Sequence, residues 1–244
     1  MTSRMHRLFV PPAQLAGSAK VKLTAAQSRH LVAVLRLEPG AEIEVFDGRG
    51  ARFRARLDGD ELEIGARLPA EARPVDVILA QSLAKGEKMD LIVQKATELG
   101  ASRIVAFASE HSVPRLDARR GAERAERWQR IAQEAARQCG RADVPRVDAP
   151  IDWGALVSLA REDQERRPLL LDASEREVRL GAAARGVSKL LLAVGPEGGF
   201  SREELQSATQ SGFTAVALGP LVLRTETAGL AALAVVLHVH GALG

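Results

Sequence analysis

The sequence predicts an α/β protein in two parts: a small antiparallel sheet or barrel, followed by a larger domain built on a mostly parallel sheet. Three observations carry this. Residues 41–68 alternate apolar and polar side chains at period two, with Asp47-Gly48 and Asp58-Gly59 as turn signals. Beyond "PAEARP" at 69–74 the pattern changes to strands alternating with helices, the mark of parallel strands joined by crossovers. Strands there, such as residues 190–194, are near-continuous apolar runs, as in a sheet covered on both faces. The expected domains are therefore residues 1–73 and 74–244.

Taken in order, "HRLFV" and "KVKLT" read as short strands, and "AAQSRHLVAVLRL" as a short helix stopped by "EPG". In the alternating stretch Ile43 and Val45 share a face, as do Phe53, Ala55 and Leu57. Arg52, Arg54 and Arg56 then share the opposite face, either a solvated exterior or a surface for RNA. In the second domain "VDVILAQS" is a strand. "KMDLIVQKATELG" is a helix with Leu91, Ile92, Ala96 and Leu99 inward and Gly100 as its stop. "RIVAFAS" is a strand, and 119–139 a long charged helix with Trp128, Ile131, Ala135 and Cys139 on one stripe. "DWGALVSLA" (helix), "RPLLLDAS" and "SKLLLAV" (strands), "SREELQSATQSG" (helix) and "FTAVAL" (strand) follow. The last helix, "TETAGLAALAVVLHVHG", is apolar almost all round, as in deep burial or a subunit interface.

Composition narrows the class. Of 244 residues 46% are apolar and 27% charged, enough for a proper core and against disorder. The single cysteine, Cys139, excludes an internal disulfide and fits a reducing cytosol. "MTSRMHRLFVPPAQ" lacks the apolar core of a signal peptide, and the most apolar run, 228–239, is too short to span a membrane. The expected protein is soluble and cytoplasmic. Residues 1–73 hold 12 basic and 9 acidic side chains and residues 74–244 hold 22 of each, so the whole excess of +3 lies in the first part. The excess is mostly arginine, which reflects either a GC-rich genome or a surface for phosphates. The five histidines are scattered, and no metal site is expected.

"LLAVGPEGGFSREEL" is a strand, a glycine loop and a helix. Ser201 and Glu204 form a capping box, and Phe200 with Leu205 a hydrophobic staple. The loop fits neither phosphate-binding glycine pattern. It has no lysine, and Glu197 would repel a phosphate by about 4 kcal/mol per charge pair at about 4 Å. A phosphate-free ligand carrying positive charge, such as S-adenosylmethionine, suits it better; a plain tight turn is the bland alternative. "ALGPLVLRTETAGLAAL" repeats the plan. Leu221 and Leu223 are apolar where a loop should be polar, so they are expected to cover something flat, and Thr225 or Thr227 to cap the helix.

Those two loops, with "HRLFV", "HLVAVLRLEPG", "VFDGRG", "KGEKMDLIVQKATELG", "SEHSV" and "RWQRIAQEAARQCGR", make the sequence resemble the SPOUT methyltransferases. It closely resembles the family that methylates N3 of a uridine in 16S small-subunit ribosomal RNA. The match runs nearly the whole length. It implies a PUA-like barrel for RNA, a C-terminal α/β domain tied in a trefoil knot, and a homodimer. Implied cofactor contacts are Leu171, Asp172 and Ala173 on one strand. Gly195, Pro196, Glu197, Gly198 and Gly199 come from the first loop. Leu218, Gly219, Leu221, Leu223 and Arg224 come from the second. "SEHSV" departs from the family, which usually has arginine where His111 stands.

For the implied reaction, Arg224 is expected to stabilise charge on the uracil oxygens, since a guanidinium cannot act as a base. Glu226, Glu197 or water is the candidate proton acceptor. Glu197 is otherwise a cofactor contact or a brace for the knot. Arg7, Arg36, Arg52, Arg54, Arg56 and Arg141 are the candidates for holding RNA, free or in the assembled subunit. The rival readings are a ribose 2′-O-methyltransferase of the same superfamily, a nicotinamide-dependent oxidoreductase, and a non-catalytic RNA-binding protein.

Overall fold

The computed structural model describes residues 5–15, 17–70, 73–112 and 118–244. Val113 of "SEHSV" and Glu71 and Ala72 of "PAEARP" lie outside the described residues. The chain divides into two units, Met1–Ala72 with Gln133–Val144, and Arg73–Ala132 with Pro145–Gly244.

The first unit contains β1 (His6–Phe9), α1 (Pro12–Leu15), β2 (Lys20–Lys22), α2 (Ala25–Ser28), β3 (Glu42–Phe46), β4 (Arg52–Asp58) and β5 (Glu61–Leu68). Its five strands form one sheet in the order β1-β3-β4-β5-β2. The pairs from β3 to β2 are antiparallel, and β1 joins β3 in parallel. The period-two pattern sets the register: Ile43 faces Ala55, and Ala55, Leu57 and Leu62 are buried. A bulge between Phe53 and Ala55 faces the Gly65 region of β5, where a Cβ would meet the Arg54 carbonyl at 3.2 Å. Thr24 and Gln27 cap α2 reciprocally, by hydrogen bonds of 3.3 and 2.9 Å. The expected single helix then widens into a π-helical turn, Arg29–Val34, and leaves through Arg36 at a left-handed φ of 56°. The wider turn buries Leu31 completely while Val32 and Val34 stay exposed.

The second unit is a six-stranded sheet whose neighbours all pair in parallel, in the order β11-β9-β10-β6-β7-β8. Its elements in chain order are β6 (Asp76–Ser82), α3 (Lys88–Leu99), β7 (Arg103–Phe107), α4 (Ala118–Cys139), β8 (Arg146–Ile151) and α5 (Trp153–Glu162). They continue with β9 (Arg167–Leu171), α6 (Leu180–Ala184), β10 (Lys189–Val194), α7 (Arg202–Gln210), β11 (Thr214–Val216) and α8 (Thr225–Val239). The last turns of α4, from Gln133, and the segment to Val144, with Arg141, cluster with the first unit.

Besides the single turn α1, two elements went unread in the sequence. β8 carries Asp148 and Pro150, which break the apolar run; Pro is tolerated because β8 is the sheet's edge. α6 is a single short turn held against α8, where a Cβ on Gly181 would stand 3.6 Å from Val235 and Val239. One helix face also differs from expectation. Leu91 is 44% exposed, and the buried face of α3 is Met89, Ile92, Val93, Ala96 and Thr97. α8 packs on α3, α6, β6 and β10, burying Gly229, Ala232, Leu233, Val236 and Leu237. A Cβ on Gly229 would stand 2.8 Å from Gln81 Oε1, so glycine sets how closely α8 approaches the sheet.

Candidate active site

The sheet order puts the carboxyl ends of β9, β10 and β11 side by side. Ligands in open parallel sheets bind outside those ends, where the strand order reverses. A cavity of about 360 Å³ lies there. Its walls are the segments that leave the three strands: Leu171–Ser174, Val194–Phe200 and Val216–Leu223, with Thr225 and Ala228 of α8.

The first loop is held from several sides. Ser201 caps α7, accepting from the Glu204 amide at 3.2 Å, and Glu204 accepts in return from the Ser201 amide at 2.9 Å. The expected capping box is therefore present, but Glu204 does more. Only 5% exposed, it also accepts from the Glu110 amide at 2.9 Å and the Ser109 hydroxyl at 3.0 Å. These bonds tie the segment 109–112 to the glycine loop. His111 Nδ1–H donates to the Gly199 carbonyl at 3.1 Å, and its Cβ lies 3.2 Å from where a Gly198 side chain would begin. The His111 ring is thus held against the glycine loop by this hydrogen bond. Phe200 does not simply staple the helix: it stacks on Phe107 at 6.3 Å and 1° and tilts against Trp153 at 5.5 Å. Gly195 is required by that ring, since a Cβ would come within 2.9 Å of it.

α8 starts without a side-chain cap. Arg224 occupies the capping position, and neither threonine caps. Thr225 instead donates to the Gly195 carbonyl at 2.6 Å and accepts from Gln81 Nε2 at 2.8 Å. The expectation failed because a half-buried carbonyl and a buried amide compete for that hydroxyl.

A residue unmarked in the sequence organises the charges. Lys88, on the first turn of α3, lies 2.7 Å from Glu197 Oε1 and 3.2 Å from Glu226 Oε2. The first contact is a hydrogen bond. The second is an ion pair only, leaving Glu226 Oε2 buried without a hydrogen-bond partner. The Lys88 ammonium holds the Glu197 carboxyl below the usual carboxylate range, and the hydrogen bond to Glu197, with the Glu226 carboxylate beside it, raises Lys88 above the usual lysine range. The acid in the glycine loop therefore has a cation partner from a segment about a hundred residues earlier in the chain.

Of the expected cofactor contacts, Leu171, Asp172, Ala173, Gly195, Pro196, Glu197, Gly199, Leu218, Gly219, Leu221 and Leu223 line the cavity. Gly198 turns toward His111, and Arg224 stands exposed at the α8 terminus beside the cavity. Leu221 and Val222 are 77% and 79% exposed, an open apolar rim. Ser174, Val194, Phe200, Val216 and Ala228 also line it and carried no signal beyond their strand or helix pattern. Among the described residues, no group of three His, Cys, Asp or Glu gathers in metal-binding geometry, and no helix is long and apolar enough to cross a membrane.

The RNA candidates separate by exposure. Arg36, Arg54 and Arg56 are exposed, although Arg56 lies opposite Glu42 and Glu63, and Arg54 opposite Glu44. Arg7 is corrected: it is 7% exposed, donates to Glu44 at 2.9 and 2.5 Å, and sits 5.0 Å over the Phe46 ring. It braces the sheet and presents no charge to a partner. Arg141, 11% exposed, pairs with Asp143 at 2.7 Å, and Arg52 donates to the Pro69 carbonyl at 2.7 Å. The pairing of Arg7 and Arg52 was not readable, because their partners lie on another strand or loop, whereas Arg141 pairs two residues along its own segment.

Comparison with known proteins adds the family. Residues 71–237 match the model of the RNA methyltransferase domain, and residues 23–65 that of the RNA methyltransferase PUA domain. Ribosomal RNA small subunit methyltransferase E of Bacillus subtilis is 31% identical over 246 residues, covering 95% of this chain and 96% of its own. The protein of that name from Mycobacterium tuberculosis is 36% identical over 218 residues, covering 85% and 82%. A crystal structure of ribosomal RNA small subunit methyltransferase E from Neisseria gonorrhoeae, bound to S-adenosyl methionine, superposes with a TM-score of 0.84 at 34% identity, covering 96% and 98%. With both domain models matched in order and relatives of this identity along nearly its whole length, the chain belongs to the RNA methyltransferase family that joins a PUA domain to an RNA methyltransferase domain.

Proposed function

We propose that this chain methylates N3 of a uridine in 16S small-subunit ribosomal RNA, using S-adenosylmethionine. The observation that carries the reading is the cavity at the ends of β9, β10 and β11, in a fold shared with a relative whose structure holds that cofactor. The residues present fit the group. Val194, Val216, Leu218 and Ala228 offer apolar walls for an adenosine, and the charged residues of the lining are Asp172 and Glu197, which suit cations and not phosphates. When bound, the cofactor supplies an electrophilic methyl group on a sulfonium.

The chain's own residues prepare the acceptor. N3 of uracil must lose a proton, and at about 1.36 kcal/mol per pKa unit a gap of about two units costs about 2.7 kcal/mol. Arg224, exposed beside the cavity, stabilises the charge spread onto O2 and O4. Glu226 and Glu197 remain the candidate proton acceptors, and both meet Lys88. Leu221 and Val222 form an apolar rim on which an unstacked base can rest. Arg36, Arg54 and Arg56 hold the surrounding RNA.

The same reading takes residues 1–73 and 74–244 as the two domains, the second knotted, and places the protein in the cytoplasm as a homodimer acting on rRNA or the assembled subunit. Exposed Leu91 on α3 and half-buried Leu230, Ala231 and Ala234 on α8 support the dimer; light scattering tests it. The function is tested by mapping N3-methyluridine in 16S rRNA from a strain lacking the gene. The mark should vanish and return with the gene; its persistence would refute the assignment.

A further inference from the structure

Among the described residues the cavity lining contains two charged side chains, and both are acids. Asp172 follows β9 and Glu197 lies in the loop after β10, so they come from different walls. Asp172 Oδ1 accepts from the Ser174 amide and hydroxyl, both at 2.8 Å, neutral donors that leave its negative charge in place. Glu197 is tempered by Lys88, which is shared with Glu226 and belongs to no wall of the cavity. Lys88, Glu197 and Glu226 together carry one net negative charge. The cavity therefore presents a negative field that a single lysine sets below its full strength.

S-adenosylmethionine and its demethylated product, S-adenosylhomocysteine, differ by one methyl group and one positive charge. We propose, on the cofactor reading above, that Asp172 and Glu197, attenuated by Lys88, are the specificity-determining charges by which this cavity prefers the cationic cofactor and releases the uncharged thioether. Lys88 acts through Glu197 as a positioning residue. It keeps the preference moderate, so that the loaded cavity still exchanges. A unit charge at about 8 Å, in an effective dielectric of about 40 to 80, changes a binding constant by about two- to sixfold. The discrimination is therefore expected to be a few-fold for each charge and to shrink with added salt.

The test is calorimetry on the full chain with each of the two ligands, reading the ratio of their affinities. The ratio matters because the ligands are nearly the same shape, so a general loosening of the cavity weakens both and cancels. Asp172→Asn and Glu197→Gln should each lower the preference for S-adenosylmethionine about two- to sixfold. Lys88→Met should raise it, and the Lys88→Met, Glu197→Gln double variant should fall back toward wild type. A ratio that none of these substitutions moves, or one that Lys88→Met lowers, overturns the proposal. Failure of the wild-type chain to bind S-adenosylmethionine at all overturns the cofactor reading itself.

Discussion

The Thr225 hydroxyl donates to the Gly195 carbonyl at 2.6 Å, joining the first turn of α8 to the glycine loop across the floor of the cavity. Thirty residues separate the two in sequence, yet they form opposite sides of one site. The same hydroxyl accepts from Gln81, which is fully buried on β6. Valine has nearly the shape of threonine but can do neither job. Thr225→Val would deprive the half-buried Gly195 carbonyl of its donor and leave the buried Gln81 amide only a long 3.4 Å bond to the Ser82 carbonyl, at about 1 to 3 kcal/mol for each. Urea unfolding should show a loss of about 2 to 4 kcal/mol, while Thr225→Ser keeps most of the stability. Equal stability of Thr225→Val and wild type would mean that water replaces the hydroxyl.

Two glycines of the cavity make a paired prediction. A Cβ on Gly195 would sit 2.9 Å from the Phe200 ring, which is itself held by Phe107 and Trp153. Gly195→Ala forces that cluster apart, at about 1 to 3 kcal/mol, and pushes the ring within the cavity. Gly219 has nothing within 4 Å of its would-be Cβ and no left-handed φ. Gly219→Ala should leave stability within about 0.5 kcal/mol of wild type. Thermal melts of both variants decide this, and a larger loss at Gly219 than at Gly195 would contradict the geometry.

Much of the frame was legible because it is local. The capping box of α7 needs only Ser201 and Glu204, Gly100 adopts the left-handed stop expected of it at φ 101°, and apolar runs marked the central strands. β8 was missed because an edge strand can carry Asp148 and Pro150 without loss. What the sequence could not show are relations between distant segments. Lys88 and Glu197 are joined by a 2.7 Å bond across 109 positions, and no periodicity links them. Arg7 looked available for RNA because nothing near it in sequence announces Glu44 and Phe46. The glycine loop was read as lacking a cation, correctly for its own residues and wrongly for its surroundings.

Arg224 stands at the capping position of α8 but makes no side-chain capping bond, and it is exposed beside the cavity without lining it. Its proposed work is on the acceptor base, so Arg224→Ala should bind S-adenosylmethionine within about threefold of wild type. Methylation of rRNA should fall by about 10² or more, the range for removing one preorganised donor to a developing anion. Arg224→Lys keeps the charge but loses the planar fork, and should recover only part of the rate. Calorimetry and a methyl-transfer assay separate the two effects. An Arg224→Ala enzyme with unchanged turnover removes this residue from the mechanism.

Asp76 offers a prediction about pH that does not involve the cavity. It starts β6, and Arg166 donates to its carboxylate at 2.6 Å and to the Leu190 carbonyl at 3.1 Å, clamping β6 and β10 at their amino ends. Ser102 adds a further hydrogen bond to the same carboxylate. Burial pushes the Asp76 carboxyl up, but the hydrogen bonds from Arg166 and Ser102 outweigh it and hold the group below its ordinary 3.8. A depressed folded value means that the ionised form is favoured by folding. The contribution is therefore fully present above about pH 4 to 5 and is lost as pH falls below 3.8 toward the folded value. Asp76→Asn should be less stable than wild type at pH 7, and the gap should narrow only below pH 3.8. Urea midpoints for both proteins between about pH 7 and 3 test this, and a gap that stays constant to the lowest pH would show that Asp76 does not titrate in that window.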